Sequence, residues 1–424
     1  MKTALTLVAI LGCSFQANAD WPRLRGAKGD GIGEGKVPVT WSAGEHIAWK
    51  ANLPGPGSSS PIIVGDRVFI TCWSGYGDGS NGTMDKLKRH LLCLNNADGK
   101  ILWDKTMPAL QPEDEYAGFI TEHGYASNTP TSDGISVFVF FGKSGALAFD
   151  FDGKQLWQTS LGMNSNSRRW GSAASPILYK DTVIVTAMDE GGAVVALDKK
   201  TGKQVWRAPA EGLELVYSTP VLAGEDLLLP VANELWGFNP DNGKLRWYAT
   251  HELPGNVSPG VAVGSDAVYV TGGFPKRGTV AIKLGGSGDI TKNVLWSATN
   301  ASYVPSPILH EGHLYVIDDQ GFALCINAKT GDGVYRERVM ESGAGGGNRR
   351  GGGKPFYASP VLVDGKLYCP SRKNGTFVLA AKPTYEKLAV NILSDDDSQF
   401  NATPAVDGNK LYLRSDKVLY CIGE

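Results

Sequence analysis

Charge of either sign is in short supply: only 20% of the 424 residues are charged, and 41 basic against 43 acidic side chains leave a formal charge of -2. With a pI near 6.3 there is no general attraction for nucleic acid or an anionic membrane, so a partner has to be recognised locally. Long apolar runs are missing too. Beyond the first nineteen residues no stretch reaches the roughly 18 apolar residues that a membrane span requires. Those nineteen are a separate object, with Lys2, an apolar run from Ala4 to Leu11 and the small-x-small ending Ala17-Asn18-Ala19. This is the layout of a secretory signal, with cleavage after Ala19 and a mature chain in the periplasm or outside the cell. Lipid attachment at Cys13 competes, since Gly12-Cys13 ends the apolar run, but Leu11 is bulky where such signals take a small residue.

Cysteine is scarce: of six, Cys13 leaves with the signal and five remain. An odd number excludes a disulfide framework as the basis of the fold. One bridge between Cys72 and Cys93, which flank a glycine-rich excursion, stays open beside the reading of five buried small hydrophobes. The sequence also lacks His-Glu-x-x-His, Cys-x-x-Cys and Gly-x-Ser-x-Gly, and its six histidines are scattered. No metal site and no catalytic residue is assigned. Gly142-Lys143-Ser144 has no upstream glycine for a phosphate loop, Val137 standing in its place, and reads as a strand turn. Asp150-Phe151-Asp152-Gly153 begins like a calcium loop, but Lys154 takes the next ligand position and a hairpin turn is the better reading.

What is abundant is glycine, 54 residues, which demands frequent tight turns. It comes with a repeat. Ser/Thr-Pro pairs followed by alternating apolar segments recur at Pro61, Pro130, Pro176, Pro220, Pro259, Pro307, Pro360 and Pro404, spaced 69, 46, 44, 39, 48, 53 and 44 residues apart. A period in the forties is the length of four short strands and their turns. Period-two apolar residues bounded by Gly, Asp and Asn describe an antiparallel meander. Tryptophan closes the unit at Trp103, Trp157, Trp206, Trp247 and Trp296, with Tyr335 in the sixth. One large ring per sheet suits docking between neighbouring sheets.

The last unit stops at Glu424 without its final strand, whereas His46-Ile47-Ala48-Trp49 precedes the first Ser-Pro without a sheet of its own. Joining the two predicts an all-β, eight-bladed propeller of four-stranded antiparallel blades, closed by an N-terminal strand that leaves no open edge. The expected domains are a signal at 1–19, an extended segment at 20–44 and one propeller at 45–424, monomeric and with no membrane span.

In the third unit Ala196-Leu197-Asp198-Lys199-Lys200-Thr201-Gly202-Lys203-Gln204-Val205-Trp206 resembles the docking motif Ala-x-Asp-x-x-Thr-Gly-Lys-x-x-Trp of the pyrroloquinoline-quinone-like (PQQ-like) β-propeller repeat family. Weaker copies run Cys93 to Trp103, Ala148 to Trp157, Gly237 to Trp247 and Cys325 to Tyr335, and the resemblance spans 45–424. It implies the fold. For function it implies a choice, because the family holds quinone-dependent dehydrogenases, an outer-membrane assembly lipoprotein and secreted proteins without assigned role. The dehydrogenase branch carries adjacent cysteines facing the quinone, a calcium site and, in many members, Cys-x-x-Cys-His. Adjacent cysteines and the haem motif are both absent here. The expectation is therefore a binding or interaction scaffold without a cofactor, its partner a small ligand, a glycan or an envelope protein, and not nucleic acid. A PQQ-dependent oxidoreductase is the alternative.

Candidate binding residues come from one further pattern. An aromatic stands before the Ser/Thr-Pro pair as Tyr125, Trp170, Tyr217, Tyr303, Tyr357 and Phe400, on the segment entering the innermost strand. That location predicts either packing between blades or a rim around one mouth of the channel, with Asn128, Arg168, Arg169 and Asn401 as polar company. Three irregular segments, Trp73 to His90, Thr106 to Asn128 and Glu341 to Lys354, are the other places where function could be added to a rigid ring.

Overall fold

A computed structural model describes residues 20–210, 213, 215–340 and 354–424. The expected signal at 1–19, the alternative lipid site at Cys13 and most of the Glu341 to Lys354 segment lie outside them. Eight sheets, each built on four antiparallel strands, form an all-β propeller. Blades one to eight are numbered by their innermost strands, at Ile62–Val64, Thr131–Ser132, Ile177–Tyr179, Val221–Ala223, Ala262–Val263, Ile308–His310, Val361–Val363 and Ala405–Asp407. The eighth blade is hybrid: Ile47–Asn52 pairs antiparallel with Val418–Ile422 and supplies the missing outer strand. Between its middle strands each blade is apolar and fully buried, as Val183, Ile184 and Val185 are in the third, and its outer strand alternates between core and solvent.

Two repeated contacts explain why the sequence repeats. The first is made by the Ser/Thr of each Ser/Thr-Pro pair. The amides of Ser60, Thr129, Ser175, Ser306 and Ser359 each donate to the hydroxyl of the following pair, at 2.9 to 3.0 Å, and Gly260 does the same to Ser306 at 2.8 Å. Proline next in line has no N–H to satisfy, so the segment enters the channel wall with its polar groups used. The second contact is the docking tryptophan. Trp49, Trp103, Trp157, Trp206 and Trp296 donate their indole N–H to backbone carbonyls of the next blade, at Asn96, Phe151, Lys199, Pro240 and Ala328. Each ring also lies against a positive-φ glycine of that blade, where a Cβ would come within 2.9 Å of it.

The junction of blades four and five departs from both rules. Blade five has no tight turn to offer Trp247, because Gly288–Asp289 leaves it to pair parallel with Trp247 and Tyr248 as a fifth strand of blade four. The Trp247 indole instead bonds Asp226 Oδ2 of its own blade at 2.8 Å, and Ser218 Oγ donates to the Pro259 carbonyl at 2.9 Å. Cys72, Cys93, Cys325, Cys369 and Cys421 are all free and buried. Cys72 sits opposite His90, and Cys93 opposite Phe69, so the two are not cross-strand partners.

The segment 20–44 is packed into the ring. Trp21 exchanges backbone bonds with Ile63 of blade one, Pro22 accepts from Ser132 of blade two, and Gly31 accepts from Leu362 of blade seven. Between them the buried Arg25 guanidinium donates to Pro307 O at 2.6 Å and Ser306 O at 3.2 Å. The arm thereby crosses the channel at the end where the innermost strands finish. The other mouth, where they begin, carries the site described next.

Candidate functional site

The aromatic positions ahead of the Ser/Thr-Pro pairs separate into two groups. Trp170, Tyr217, Tyr303 and Tyr357, entering blades three, four, six and seven, line one cavity of about 160 Å3. Asn256 and Ser258 stand at the blade-five position between them. Trp170 and Tyr217 stack, with centroids 6.3 Å apart. Tyr125 and Phe400 lie elsewhere. Tyr125 is buried among Trp73, Tyr76 and Tyr116 with its hydroxyl on the Asp114 carbonyl at 2.7 Å, and Phe400 stacks on Tyr420 within blade eight.

The missing side of the wall is built by the excursion between blades one and two, residues 109–128, a strap laid across the mouth. Its base is held by two buried ion pairs, Arg89 to Glu113 at 2.6 Å and Lys143 to Asp114 at 3.2 Å. Its tip, the short 3-10 turn Gly118–Glu122, reaches over the mouth. There Phe119 packs on Trp170 with centroids 4.5 Å apart, and Glu122 pairs with Arg372 of blade seven at 2.6 Å. Phe119, Glu122 and His123 all face the cavity. The sequence marks this stretch as irregular but contains no signal for where its tip lands, because Glu122 and Arg372 are 250 positions apart.

Beyond the tip, Glu122 and His123 also border a second and larger cleft, about 510 Å3, between blades eight and one. Its walls mix apolar Leu53, Trp73 and Tyr116 with polar Asp78, Gln399, Asn401, Asp416 and Lys417. Asn401 thus lines the cleft and not the aromatic cavity, while Asn128 is buried with its amide on the Ala174 carbonyl at 2.7 Å. Arg168 lies 5.9 Å over the Trp170 ring. Arg169 is exposed at φ 54, on a turn whose amide bonds Asn166 O at 3.1 Å.

Cations cover the outer faces of the other rings: Arg277 and Lys354 over Tyr303 at 5.0 and 3.7 Å, and Arg372 over Tyr357 at 4.6 Å. Asp319 pairs with both Arg277 and Lys354. The amide and imidazole groups facing inward are bonded within the wall. Asn256 donates to the Tyr303 hydroxyl at 3.1 Å and to Ser258 at 3.3 Å. His123 has Ser127 Oγ at 2.6 Å on Nδ1 and the Trp170 carbonyl at 2.8 Å on Nε2. Burial pushes its imidazole down to about 4, so at neutral pH it is a neutral ring with both nitrogens engaged. Such a histidine holds the strap to the wall and is not free to move a proton.

Under the strap lies a small space of about 20 Å3 bordered by Glu113, Asp114, Asp189 and Glu190, with Arg89 and Lys143 facing them. Burial, reinforced by Asp189, raises the Glu190 carboxyl to about 8, and its Oε2 has no hydrogen-bond partner. Among the described residues no group of three or more His, Cys, Asp or Glu is arranged to hold a metal ion.

A sequence model described as outer membrane protein assembly factor BamB matches residues 88–337. The chain is 24% identical over 331 residues to the BamB of Yersinia pestis, covering 70% of this chain and 82% of that protein. Among solved structures it is similar to BamB from Moraxella catarrhalis, with TM-score 0.59 and 13% identity over 88% of this chain and 97% of that one. It is also similar to the quinohemoprotein alcohol dehydrogenase of Comamonas testosteroni, with TM-score 0.66 and 11% identity over 96% and 81%. At these identities the structural likeness speaks for the fold alone.

Proposed function

The chain belongs to the PQQ-like propeller family described as outer membrane protein assembly factor BamB, and from that premise we propose that it is an exported scaffold of the cell envelope that holds a protein partner at its strap-bearing mouth. The observation that carries this reading is the convergence of four aromatics from blades three, four, six and seven on one cavity where the Asn256 amide and the His123 imidazole are already bonded within the wall. Such a wall recognises by packing. The proposal includes cleavage after Ala19, so that the mature protein begins at Asp20, and a single propeller from 45 to 424. Amino-terminal sequencing of the exported form checks the first point.

The quinone-dependent reading fits the residues less well. A cavity of about 160 Å3 has the size of engineered cavities that accept benzene, and a fused three-ring quinone acid needs more room than that. The cysteines that would face such a ring are dispersed and buried.

The test is site-specific photo-crosslinking in the envelope of the native host. A crosslinking side chain at Phe119, on the strap, is expected to yield adducts with an envelope protein. The same group at Ile135, which is 77% exposed on the turn at the arm-bearing mouth, is expected to yield none. Adducts from Ile135 alone would move the interaction to the other face and sink the proposal.

A further inference from the structure

The two compartments at the strap-bearing mouth differ in chemistry and share a wall, and together they specify a ligand more narrowly than either does. We propose, building on the scaffold reading, that this mouth takes an extended polypeptide segment, with one aromatic side chain in the cavity and one basic side chain in the adjoining cleft.

The cavity argues by exclusion. An aromatic box is the usual receptor for a quaternary ammonium group, but here Arg168, Arg277, Lys354 and Arg372 already lie over its rings and would repel a cation. A sugar needs several hydrogen-bonding groups turned inward, but Asn256 and His123 have spent theirs within the wall, Glu122 is held by Arg372 and the Tyr217 hydroxyl accepts from Asn166, which leaves little beyond the Ser258 and Tyr357 hydroxyls. What remains favourable is an uncharged, flat, apolar group of about 160 Å3. One aromatic side chain meets that description, and it would stack against Tyr217 and Tyr357 while displacing water from an apolar surface.

The cleft argues by charge. Its one lining cation, Lys417, is held by Asp397 at 2.6 Å, and Glu122 is neutralised by Arg372 at 2.6 Å. Asp78 and Asp416 form no ion pair among the described residues and face the opening. Asp416 is partly offset by the buried Arg414 behind it, while Asp78 has only the Gly75 and Ser80 amides and the Ser80 hydroxyl as partners, and carboxylates without an ion pair beside a groove favour a Lys or Arg of the bound chain. The cleft and the cavity meet at Glu122 and His123, so the two subsites adjoin and a short extended segment, in which three residues span about 10 Å, is the length to test.

Fluorescein-labelled nonapeptides on a Gly-Ser background, carrying one Phe and one Lys three residues apart, test this by anisotropy against the mature protein. The Phe/Lys peptide is expected to bind. Its Phe→Ala version should bind at least tenfold more weakly, and Lys→Glu should weaken binding severalfold at low salt. Ala173→Trp, which fills the cavity from its own wall, should abolish the preference for Phe over Ala while leaving the melting temperature and the Lys-over-Glu preference unchanged. Asp78→Asn with Asp416→Asn should erase the Lys-over-Glu preference only. The inference falls if the Phe/Lys peptide fails to bind with a Kd below about 1 mM, or if the Phe→Ala peptide binds equally well, or if Ala173→Trp leaves the preference for Phe intact. Crosslinks from Phe119 accompanied by any of those results would leave the scaffold reading standing and remove this one, whereas selective peptide binding without crosslinks would do the reverse.

Discussion

At the residue scale the glycine of the turn and the tryptophan of the neighbouring blade form one unit. Gly202 has φ +68, and a Cβ there would meet the Trp157 ring at 2.6 Å. Gly192, at φ +60, would meet nothing within 4 Å. Alanine at 192 is expected to cost about 1 kcal/mol, the strain of a left-handed conformation alone. At 202 it should cost clearly more, about 2 kcal/mol or above. The excess should vanish in a Trp157→Ala background, which urea titration of the double-mutant cycle measures. The Thr-Gly-Lys-x-x-Trp spacing made this unit visible in the sequence, since both partners recur at fixed offsets. Tyr125 and Phe400 show the opposite case. They precede their Thr-Pro pairs much as Trp170 precedes its Ser-Pro, but what packs over them, the strap for one and Tyr420 of the last strand for the other, follows from no repeated spacing. Protonation adds a second prediction at this scale. Glu190 is raised from 4.5 to about 8 in the folded chain, so between those values the unfolded chain releases its proton first and stability falls as pH rises. His123, lowered from 6.5 to about 4, acts from the other side and removes stability as pH falls below 6.5. Glu190→Gln should therefore be more stable than the parent at pH 8, by up to about 4 kcal/mol, and show no advantage at pH 4.5. Parallel melting curves at all pH values would contradict the assignment.

Among the elements, the strap is the one whose attachment decides the site. Its base depends on Lys143, which sits with Asp114 in a buried pair and also donates to the Pro112 carbonyl at 3.2 Å. Lys143→Met keeps the volume and leaves Asp114 with Ser165 as its remaining side-chain partner. Breaking one half of a buried pair typically costs about 3 to 5 kcal/mol, but here the cost can be met locally by releasing the strap. Limited proteolysis is expected to cut the variant between Gly118 and Thr121 well before the parent, with the blades still protected. Simultaneous loss of both would mean that the strap is part of the ring's cooperative unit. Sequence reasoning located the strap as an irregular segment with an acidic Glu113-Asp114-Glu115 run. It gave neither the buried lysine, which resembled the end of a phosphate loop, nor the reach to Arg372, because charge pairs across blades obey no local period. The same limit hid the fifth strand at Gly288–Asp289, too short and too rich in glycine to carry a strand pattern.

For the whole molecule the question is what closes the ring, and the N-terminal region does so twice. Ile47–Asn52 completes blade eight, and Trp49 within it is 7% exposed, with its indole on the Asn96 carbonyl of blade one at 3.0 Å. That strand was legible because the last repeat visibly lacks its end and the first residues visibly have no partner. The arm before it was not legible: nothing in Trp21 to Gly33 repeats, and its role rests on single contacts such as Arg25 with Ser306 and Pro307. The two closures should separate on truncation. Trp49→Ala is expected to cost about 3 to 5 kcal/mol, as for other large buried aromatics. Removing 20–52 exposes the edge of Val418–Ile422 and parts blade eight from blade one, so the chain should aggregate, as open sheet edges do. Removing only 20–33 takes away Trp21 and the channel crossing but leaves every blade with four strands. This shorter deletion should remain monomeric and melt cooperatively at a lower temperature, and it should still bind the Phe/Lys peptide, since the strap and the four-ring cavity lie at the opposite mouth. Sedimentation and calorimetry on the two truncations decide the matter. If both aggregate alike, the arm is as necessary to closure as the strand, and the propeller must then be counted from Asp20 and not from residue 45.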